Sequence, residues 1–216
     1  MPKRDTLIIF LFALLQFCLF LNHRDITNAH EGRTAQTSRE MLQRQQWVVP
    51  YCNGQPRLAK PPLMYWMTDI AWTITGAAEP WSARLPPAIC GAIAVLLVMD
   101  LARRTLGRGA GLCAGLIWIS TWFVVDEYRK AMADPYLGFF TLLSIWAWVR
   151  ADLSTTPGQS ELPAAGRPPR AVGFIVLAYA SIALAALAKG HLILIHLVIA
   201  LISYHVIRRT RPRRIT

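Results

Sequence analysis

Three polar residues that follow the first apolar segment, His30, Glu31 and Arg33, are of types that can do chemistry. A carboxylate beside an imidazole can act as a general base or bind a metal ion, and an arginine can make a forked contact with a phosphate. The alternative is structural, because a glutamate near a helix start often interacts with the helix dipole. The trio predicts either an acid–base centre beside an anion-binding arginine or the first turn of a helix.

Lys60 stands directly before Pro61 and Pro62, where a helix is predicted to begin. A lysine held by two rigid prolines at a helix start suits an anionic head group. The alternative is an interfacial lysine that extends its ammonium group toward the membrane surface.

A second carboxylate, Asp134, ends a short polar segment and directly precedes an apolar run. Carboxylates at a membrane edge are costly unless paired and often mark functional sites. Pairing with Arg129 or Lys130 is the structural alternative. Lys189, in the short turn before the last apolar segment, is expected to face the same compartment. Cations and carboxylates that converge near one membrane surface predict a site for a lipid-linked anionic substrate.

The elements that must position these residues are membrane helices. The chain is 54% hydrophobic and only 16% charged, against about 25% charged in soluble domains. Its apolar residues come in blocks, which predicts an all-α, polytopic membrane protein with about six transmembrane helices. The predicted spans are Thr6–Leu21, Pro86–Ala102, Gly109–Val125, Pro135–Val149, Ala171–Leu187 and Leu192–Ile207. The first could be a signal peptide, but it lacks a small-residue cleavage pattern and is favoured as a retained anchor.

Charge predicts the orientation. More than half of the 23 lysine and arginine residues lie at the N-terminus, in two polar segments between spans, or in the basic tail 208–216. The positive-inside rule then puts both termini in the cytoplasm and the 22–84 loop outside, in the plasma (inner) membrane. This distribution explains the formal charge of +11 without a nucleic-acid partner.

The 22–84 loop is predicted to contain two helices, Glu31–Gln46 and Leu63–Gly76, around an extended and turning segment, Trp47–Pro62. Asn53–Gly54 predicts a tight turn in that segment. The aromatic residues of the second helix favour a position at the membrane interface.

The order of these motifs resembles the integral-membrane C-type glycosyltransferases, the superfamily of protein O-mannosyltransferases and lipid A aminoarabinose transferases. The resemblance covers nearly the whole chain. It is carried by HEGRTAQTSREML, WVVPYCNGQPRLAKPPLMYW, ARLPPAI, AMADPYLGFF and LAKGH. It implies an enzyme that transfers a hexosyl- or pentosyl-type sugar from a polyprenyl-phosphate donor to a lipid, glycan or protein acceptor on the extracytoplasmic side. Lipid A modification and protein glycosylation are the processes it implies.

Residue by residue, the resemblance implies donor-phosphate binding by Lys60, with Arg33 and Lys189 as further phosphate contacts. Glu31 and Asp134 match acidic positions of the family pattern, and together with His30, which precedes Glu31, they are the candidate catalytic residues. Three positions depart from the family pattern: His30 replaces an acidic residue, Ala59 replaces the glutamate before the lysine, and His191 replaces a proline. The glutamate position is implicated in metal binding in some members, so the cofactor is unknown, with a divalent metal ion as one option.

Members of this superfamily are much longer. Residues 1–207 are therefore expected to be an N-terminal transmembrane glycosyltransferase module, and the chain a fragment, a truncated reading frame or one part of a split protein. The alternative function is a catalytically inactive fragment or accessory subunit that binds lipid or partner helices. A transporter is disfavoured because Asp100, near a helix end, is the only acidic residue found within the predicted spans.

Overall fold

The computed structural model describes residues 3–23, 26 and 28–154, then 168–190, and singly 195, 199 and 202. The described part is mainly helical, with one two-stranded antiparallel hairpin. The elements in chain order are α1 (Lys3–Cys18), α2 (Ala29–Arg44), β1 (Tyr51–Cys52), β2 (Gln55–Pro56), α3 (Leu63–Thr75), α4 (Pro80–Leu106), α5 (Arg108–Ser120), α6 (Trp122–Glu127), α7 (Ala133–Leu153) and α8 (Pro169–Lys189).

The bundle is built around α4, which packs against α1, α3, α5 and α7, while α7 packs against α8. Small residues allow the close approach of α5 to α4. A Cβ atom on Gly111 would lie 2.9 Å from the backbone oxygen of Met99, and one on Gly115 would lie 2.7 Å from the Met99 side chain. The spacing of these glycines is therefore explained by helix packing.

The two ends of the bundle differ in character. At one end, called here the basic end, Asp100 on α4 accepts hydrogen bonds from Arg103, Arg104 and Arg150 at 2.9, 2.7 and 3.1 Å. The opposite end, called here the loop end, carries the start of α4 and of α7, the end of α8, and residues 28–76. The fold thus gathers two basic clusters that are separated in sequence at one end and all six predicted site residues at the other.

The helix surfaces fit a membrane protein. One face of α1 exposes five large apolar side chains, each 52–57% accessible: Leu7, Ile8, Leu11, Phe12 and Leu15. Such a continuous apolar face is unusual on a protein surrounded by water. Among the described residues, Pro80–Leu106 and Pro169–Lys189 are long and apolar enough to cross a membrane.

The first, fourth and fifth predicted spans correspond to α1, α7 and α8, whose ends differ from the prediction by two to four residues, and the other three spans differ further. The second begins earlier, at Pro80, because Glu79 and Ser82 form a capping box ahead of the internal prolines. The third is divided into α5 and α6 at Thr121, whose backbone is extended and whose hydroxyl donates to the Ile117 carbonyl at 2.7 Å. The sixth, Leu192–Ile207, lies outside the described residues apart from single positions.

The 22–84 loop follows the local sequence closely. Asn28 accepts the backbone N–H of His30 at 2.9 Å and thereby starts α2. The Asn53–Gly54 turn joins the two short strands, and both residues have positive φ, 54° and 75°. Helix α3 begins directly after Pro62 and ends at Gly76, which has the left-handed conformation of a C-cap.

Candidate functional site

A cavity of about 170 Å³ at the loop end, called here the small cavity, contains four of the six predicted site residues. Helix α2 supplies His30, the segment after the hairpin supplies Lys60, α7 supplies Asp134 and α8 supplies Lys189. The lining is completed by Thr34, Arg57, Met64, Met132 and Ala133. Residues from four separate parts of the chain therefore meet at one position.

Asp134 and Lys189 form an ion pair across this cavity, between the start of α7 and the end of α8. Their side chains are 35% and 24% accessible, so the pair remains in contact with solvent. The structural alternative that pairs Asp134 with Arg129 or Lys130 is wrong. Lys130 instead lies 2.6 Å from Asp126 and 3.2 Å from Glu127, and Arg129 donates to the Leu19 carbonyl at 2.7 Å.

The small cavity carries an excess of positive charge. Among its described lining residues, Arg57, Lys60 and Lys189 are cations, and Asp134 is the single carboxylate. Within the described part of the chain, neither Arg57 nor Lys60 has a carboxylate within 4.0 Å. Ala59 contributes to this, because it places no acidic side chain next to Lys60. A cavity with two cations that lack a protein counter-ion can accept an anion.

Glu31 lies elsewhere, in a buried ion pair. Its two oxygens accept from Nε and Nη2 of Arg84 at 2.7 and 2.8 Å, and Oε1 also accepts the backbone N–H of Ala131 at 3.0 Å. The side chains of Arg84 and Glu31 are only 5% and 4% accessible. Asn28 is the N-cap of α2, and Glu31 lies in the first turn of that helix, as the structural alternative predicted. Its carboxylate also joins α2 to α4 and to the chain preceding α7.

Arg33 is exposed on α2 and does not line the small cavity. The structure therefore does not bring it together with Lys60 and Lys189. Its contact with a donor phosphate stays a prediction.

The hairpin before Lys60 is fastened to α2 by Glu40. The carboxylate accepts the backbone N–H groups of Asn53 and Gly54 at 2.5 and 3.0 Å. These hydrogen bonds hold the pKa of Glu40 below its ordinary value, and the bond from Gly54 has the largest effect. Burial opposes this lowering of the pKa. Since α2 also carries His30, the same helix positions His30 directly and Lys60 through the attached hairpin.

Asp69 on α3 is a further buried carboxyl group, with no accessible surface. Among the described residues, no hydrogen bond of good geometry reaches either carboxyl oxygen. The nearby Ser38 hydroxyl donates to the Tyr65 carbonyl at 3.3 Å. Burial raises the pKa of Asp69 to about 7, an effect that Ser38 partly offsets.

A second cavity of about 750 Å³, called here the large cavity, lies beside the Glu31–Arg84 pair. His23, Asn28 and Lys130 are among its lining residues. Residues 28–31 and 130–134 separate it from the small cavity, because Asn28 donates to the sulfur of Met132 at 3.7 Å and Glu31 accepts from Ala131. The acid–base candidate His30 thus lines one cavity while its neighbour Glu31 lines the other.

Three residues of the site were not predicted: Arg84, Glu40 and Arg57. The role of Arg84 could have been predicted from the sequence, since an arginine at the start of a long apolar helix requires a partner. No sequence feature predicted the roles of Glu40 and Arg57, because these roles depend on how the hairpin folds back onto α2 and α3.

The residues that the structure describes do not form a recognisable metal site. Among the described residues, no group of three or more histidine, cysteine, aspartate or glutamate side chains could hold a metal ion. The small cavity offers His30 and Asp134, and the latter is already paired with Lys189.

Comparisons with known proteins agree with this architecture. The family model described as dolichyl-phosphate-mannose-protein mannosyltransferase matches residues 6–211. An undecaprenyl phosphate-alpha-4-amino-4-deoxy-L-arabinose arabinosyl transferase from Pectobacterium carotovorum is 31% identical over 153 residues, covering 70% of this chain and 27% of that protein. An uncharacterized protein from Aquifex aeolicus is 29% identical over 150 residues, covering 67% of this chain and 34% of its own length.

The fold is similar to that of ArnT from Cupriavidus metallidurans bound to undecaprenyl phosphate. The TM-score is 0.80 at 23% identity, over 97% of this chain and 37% of that one. An oligosaccharyltransferase from Archaeoglobus fulgidus has a TM-score of 0.65 at 16% identity, over 87% of this chain and 24% of that one. The chain thus spans about a third or less of the length of the relatives that it matches.

Proposed function

Because the chain belongs to the dolichyl-phosphate-mannose-protein mannosyltransferase family, we propose that it is the N-terminal module of a membrane glycosyltransferase. Its donor is a polyprenyl-phosphate sugar of hexosyl or pentosyl type, and its acceptor is a lipid, glycan or protein. The observation that carries the proposal is the cationic small cavity, in which Lys60 has no carboxylate within 4.0 Å among the residues that the structure describes.

The reaction is a displacement at the anomeric carbon of the donor sugar. An acceptor oxygen forms a bond to C1, the bond from C1 to the phosphate oxygen breaks, and the lipid phosphate leaves with the electron pair. Lys60 and Lys189 stabilise the charge that develops on this phosphate. Both can do so without large movement, since they already line the same cavity.

Asp134 and His30 are the groups placed to accept the acceptor proton. Both line the small cavity, and the Asp134 carboxylate remains partly accessible. Glu31 is a poorer candidate because Arg84 and the Ala131 amide already occupy its oxygens. We therefore assign the base to Asp134 or His30 and a structural role to Glu31.

The same proposal includes the placement in the membrane. The basic end faces the cytoplasm, together with both termini, and the loop end faces the extracytoplasmic side, as the positive-inside rule predicts. The exposed Ile70 and Ile74 of α3, 47% and 78% accessible, support a position of this helix at the membrane interface.

A divalent cation at the small cavity would have His30 and Asp134 as its protein donors, which is fewer than the three that usual catalytic sites provide. No step of the proposed displacement is assigned to a metal.

The alternative function is a catalytically inactive or accessory membrane protein that binds lipid or partner helices. His30 and Ala59 support it, because both replace carboxylates of the family pattern. Under this alternative the small cavity still binds a lipid phosphate, but no sugar is transferred.

The test combines binding and turnover in lipid nanodiscs. The Lys60→Ala variant is expected to bind undecaprenyl phosphate about tenfold or more weakly, as expected for the loss of a charge-assisted contact. The matched control is Arg39→Ala, an exposed cation on α2 that lines neither cavity. Unchanged binding in Lys60→Ala would overturn the phosphate site. Binding without transfer of a labelled sugar by the wild-type chain would favour the inactive alternative.

A further inference from the structure

Arg57 is a cation of the small cavity that lies within the WVVPYCNGQPRLAKPPLMYW stretch but has been given no role above. It follows β2 directly, three positions before Lys60, and lines the same cavity. Its side chain is partly buried and has no carboxylate partner among the described residues. A guanidinium group without a counter-ion, held in a cavity, requires an explanation.

The guanidinium is fixed from the inside of the protein. Its Nε donates to the hydroxyl of Tyr65 at 3.3 Å, and Tyr65 is completely buried in α3. Burial raises the pKa of the Tyr65 hydroxyl, although its hydrogen bond with Arg57 opposes that rise. The hydroxyl therefore stays neutral and uses only one of the five N–H donors of the arginine.

The backbone that carries Arg57 is fixed as well. Its N–H donates to the Pro50 carbonyl at 2.7 Å, which closes the base of the hairpin. At the tip of the hairpin, Glu40 holds the two turn amides. The guanidinium of Arg44 lies 4.4 Å from the centre of the Tyr51 ring. Arg57 thus stands on a hairpin fastened at both ends, so little conformational freedom is lost when a ligand binds.

The remaining N–H groups of Arg57 form no hydrogen bond with any described residue, and Lys60 lines the same cavity. An arginine can contact two oxygens of one phosphate in a forked arrangement, whereas a lysine acts as a point charge. We propose that Arg57, positioned by Tyr65, binds the lipid-linked phosphate together with Lys60. This inference rests on the proposed function and adds a specific phosphate-binding residue to it.

The experiment compares undecaprenyl phosphate with undecaprenol, which lacks the phosphate, as ligands of the full chain in nanodiscs. Arg57→Gln is expected to weaken binding of the phosphate about tenfold or more and to leave undecaprenol unchanged. Arg57→Lys retains the charge but cannot make the forked contact with two phosphate oxygens, so we expect an intermediate loss of affinity for undecaprenyl phosphate. Tyr65→Phe removes only the anchoring hydroxyl and should weaken phosphate binding by about two- to fivefold. Arg39→Gln is the matched control.

The outcomes separate this inference from the proposed function. If Lys60→Ala weakens phosphate binding and Arg57→Gln does not, Arg57 is not a phosphate ligand and the proposed function stands. If neither variant changes binding, the phosphate site itself is refuted. An equal loss for undecaprenol would indicate a structural role for Arg57 and overturn the inference. Displacement of the lipid by inorganic phosphate at similar concentration would assign the cavity to free phosphate and also overturn it.

Discussion

Two carboxylate–cation pairs at the loop end show how the surroundings decide the role of similar residues. Glu31 and Arg84 are almost completely buried, and every Glu31 oxygen has a fixed donor. Asp134 and Lys189 are partly accessible and border a cavity with two further cations. The first pair therefore holds helices together, whereas the second can exchange its internal contact for a ligand. Motif position alone would have assigned both carboxylates to catalysis.

The largest effect is expected when the buried pair is broken. Arg84→Ala leaves the Glu31 carboxylate buried without its cation, which should lower the free energy of unfolding by about 3–5 kcal/mol. The measurement is a denaturant titration in detergent, followed by tryptophan fluorescence. The control is Arg33→Ala, which removes an exposed arginine of α2 and should change the free energy of unfolding by less than about 0.5 kcal/mol. Equal stability of the two variants would show that the buried pair is not a structural element.

Asp69 extends the comparison to a buried carboxyl group that has no cationic partner among the described residues. Its pKa is raised to about 7 from an ordinary value of 3.8. Between these values the unfolded chain has released the proton while the folded chain still holds it, so the stability contributed by this group falls as pH rises. Asp69→Asn should therefore raise the free energy of unfolding by about 1–3 kcal/mol at pH 8.

The stabilisation by Asp69→Asn should diminish as the pH falls through 3.8, because below that value the carboxyl group becomes protonated in the unfolded state as well as in the folded one. Unfolding titrations at pH 8 and pH 4.5 check this. A variant that is destabilised equally at both values would contradict the role of burial.

Glu40 provides the opposite case, a carboxylate stabilised by backbone amides. Its folded pKa lies below the ordinary value of 4.5, so its contribution is complete above that pH and is lost as the pH falls through the lowered value. Glu40→Gln should reduce hydrogen-exchange protection of the Asn53 and Gly54 amides by about tenfold at neutral pH, since it removes hydrogen bonds to a charged group. Gln36→Ala, which removes a side-chain donor to Glu40, is the milder comparison. Protection that does not change in Glu40→Gln would refute the attachment of the hairpin.

The smallest effect on stability is expected at the accessible pair. Asp134→Asn should change the free energy of unfolding by less than about 1 kcal/mol, because partly exposed ion pairs contribute little. Binding of undecaprenyl phosphate should be retained or strengthened, since Lys189 is released, while sugar transfer should fall if Asp134 is the base. A large loss of stability would show that the Asp134–Lys189 pair is structural, like the Glu31–Arg84 pair, and would contradict the distinction between the two pairs.

Local features of the 22–84 loop were predictable because they depend on neighbouring residues. The diproline before α3, the Asn53–Gly54 turn and the helix-forming composition of α2 act over a few positions. The convergence of Lys60, Asp134 and Lys189 was also predictable, since topology alone places them near one membrane surface. The break at Thr121 was not, because its flanking residues are as apolar as those of an uninterrupted span.

The sequence by itself determined the helical membrane class, the order of the elements and which end of the bundle carries the candidate site residues. These properties follow from apolar block length, turn residues and charge distribution, all of which act locally or additively along the chain. Only the tertiary structure decided which polar residue meets which: Glu31 meets Arg84 across 53 positions, and Arg57 meets Tyr65 beside Lys60. Such pairings depend on helix packing and on the desolvation of each group, and no local pattern in the sequence encodes them.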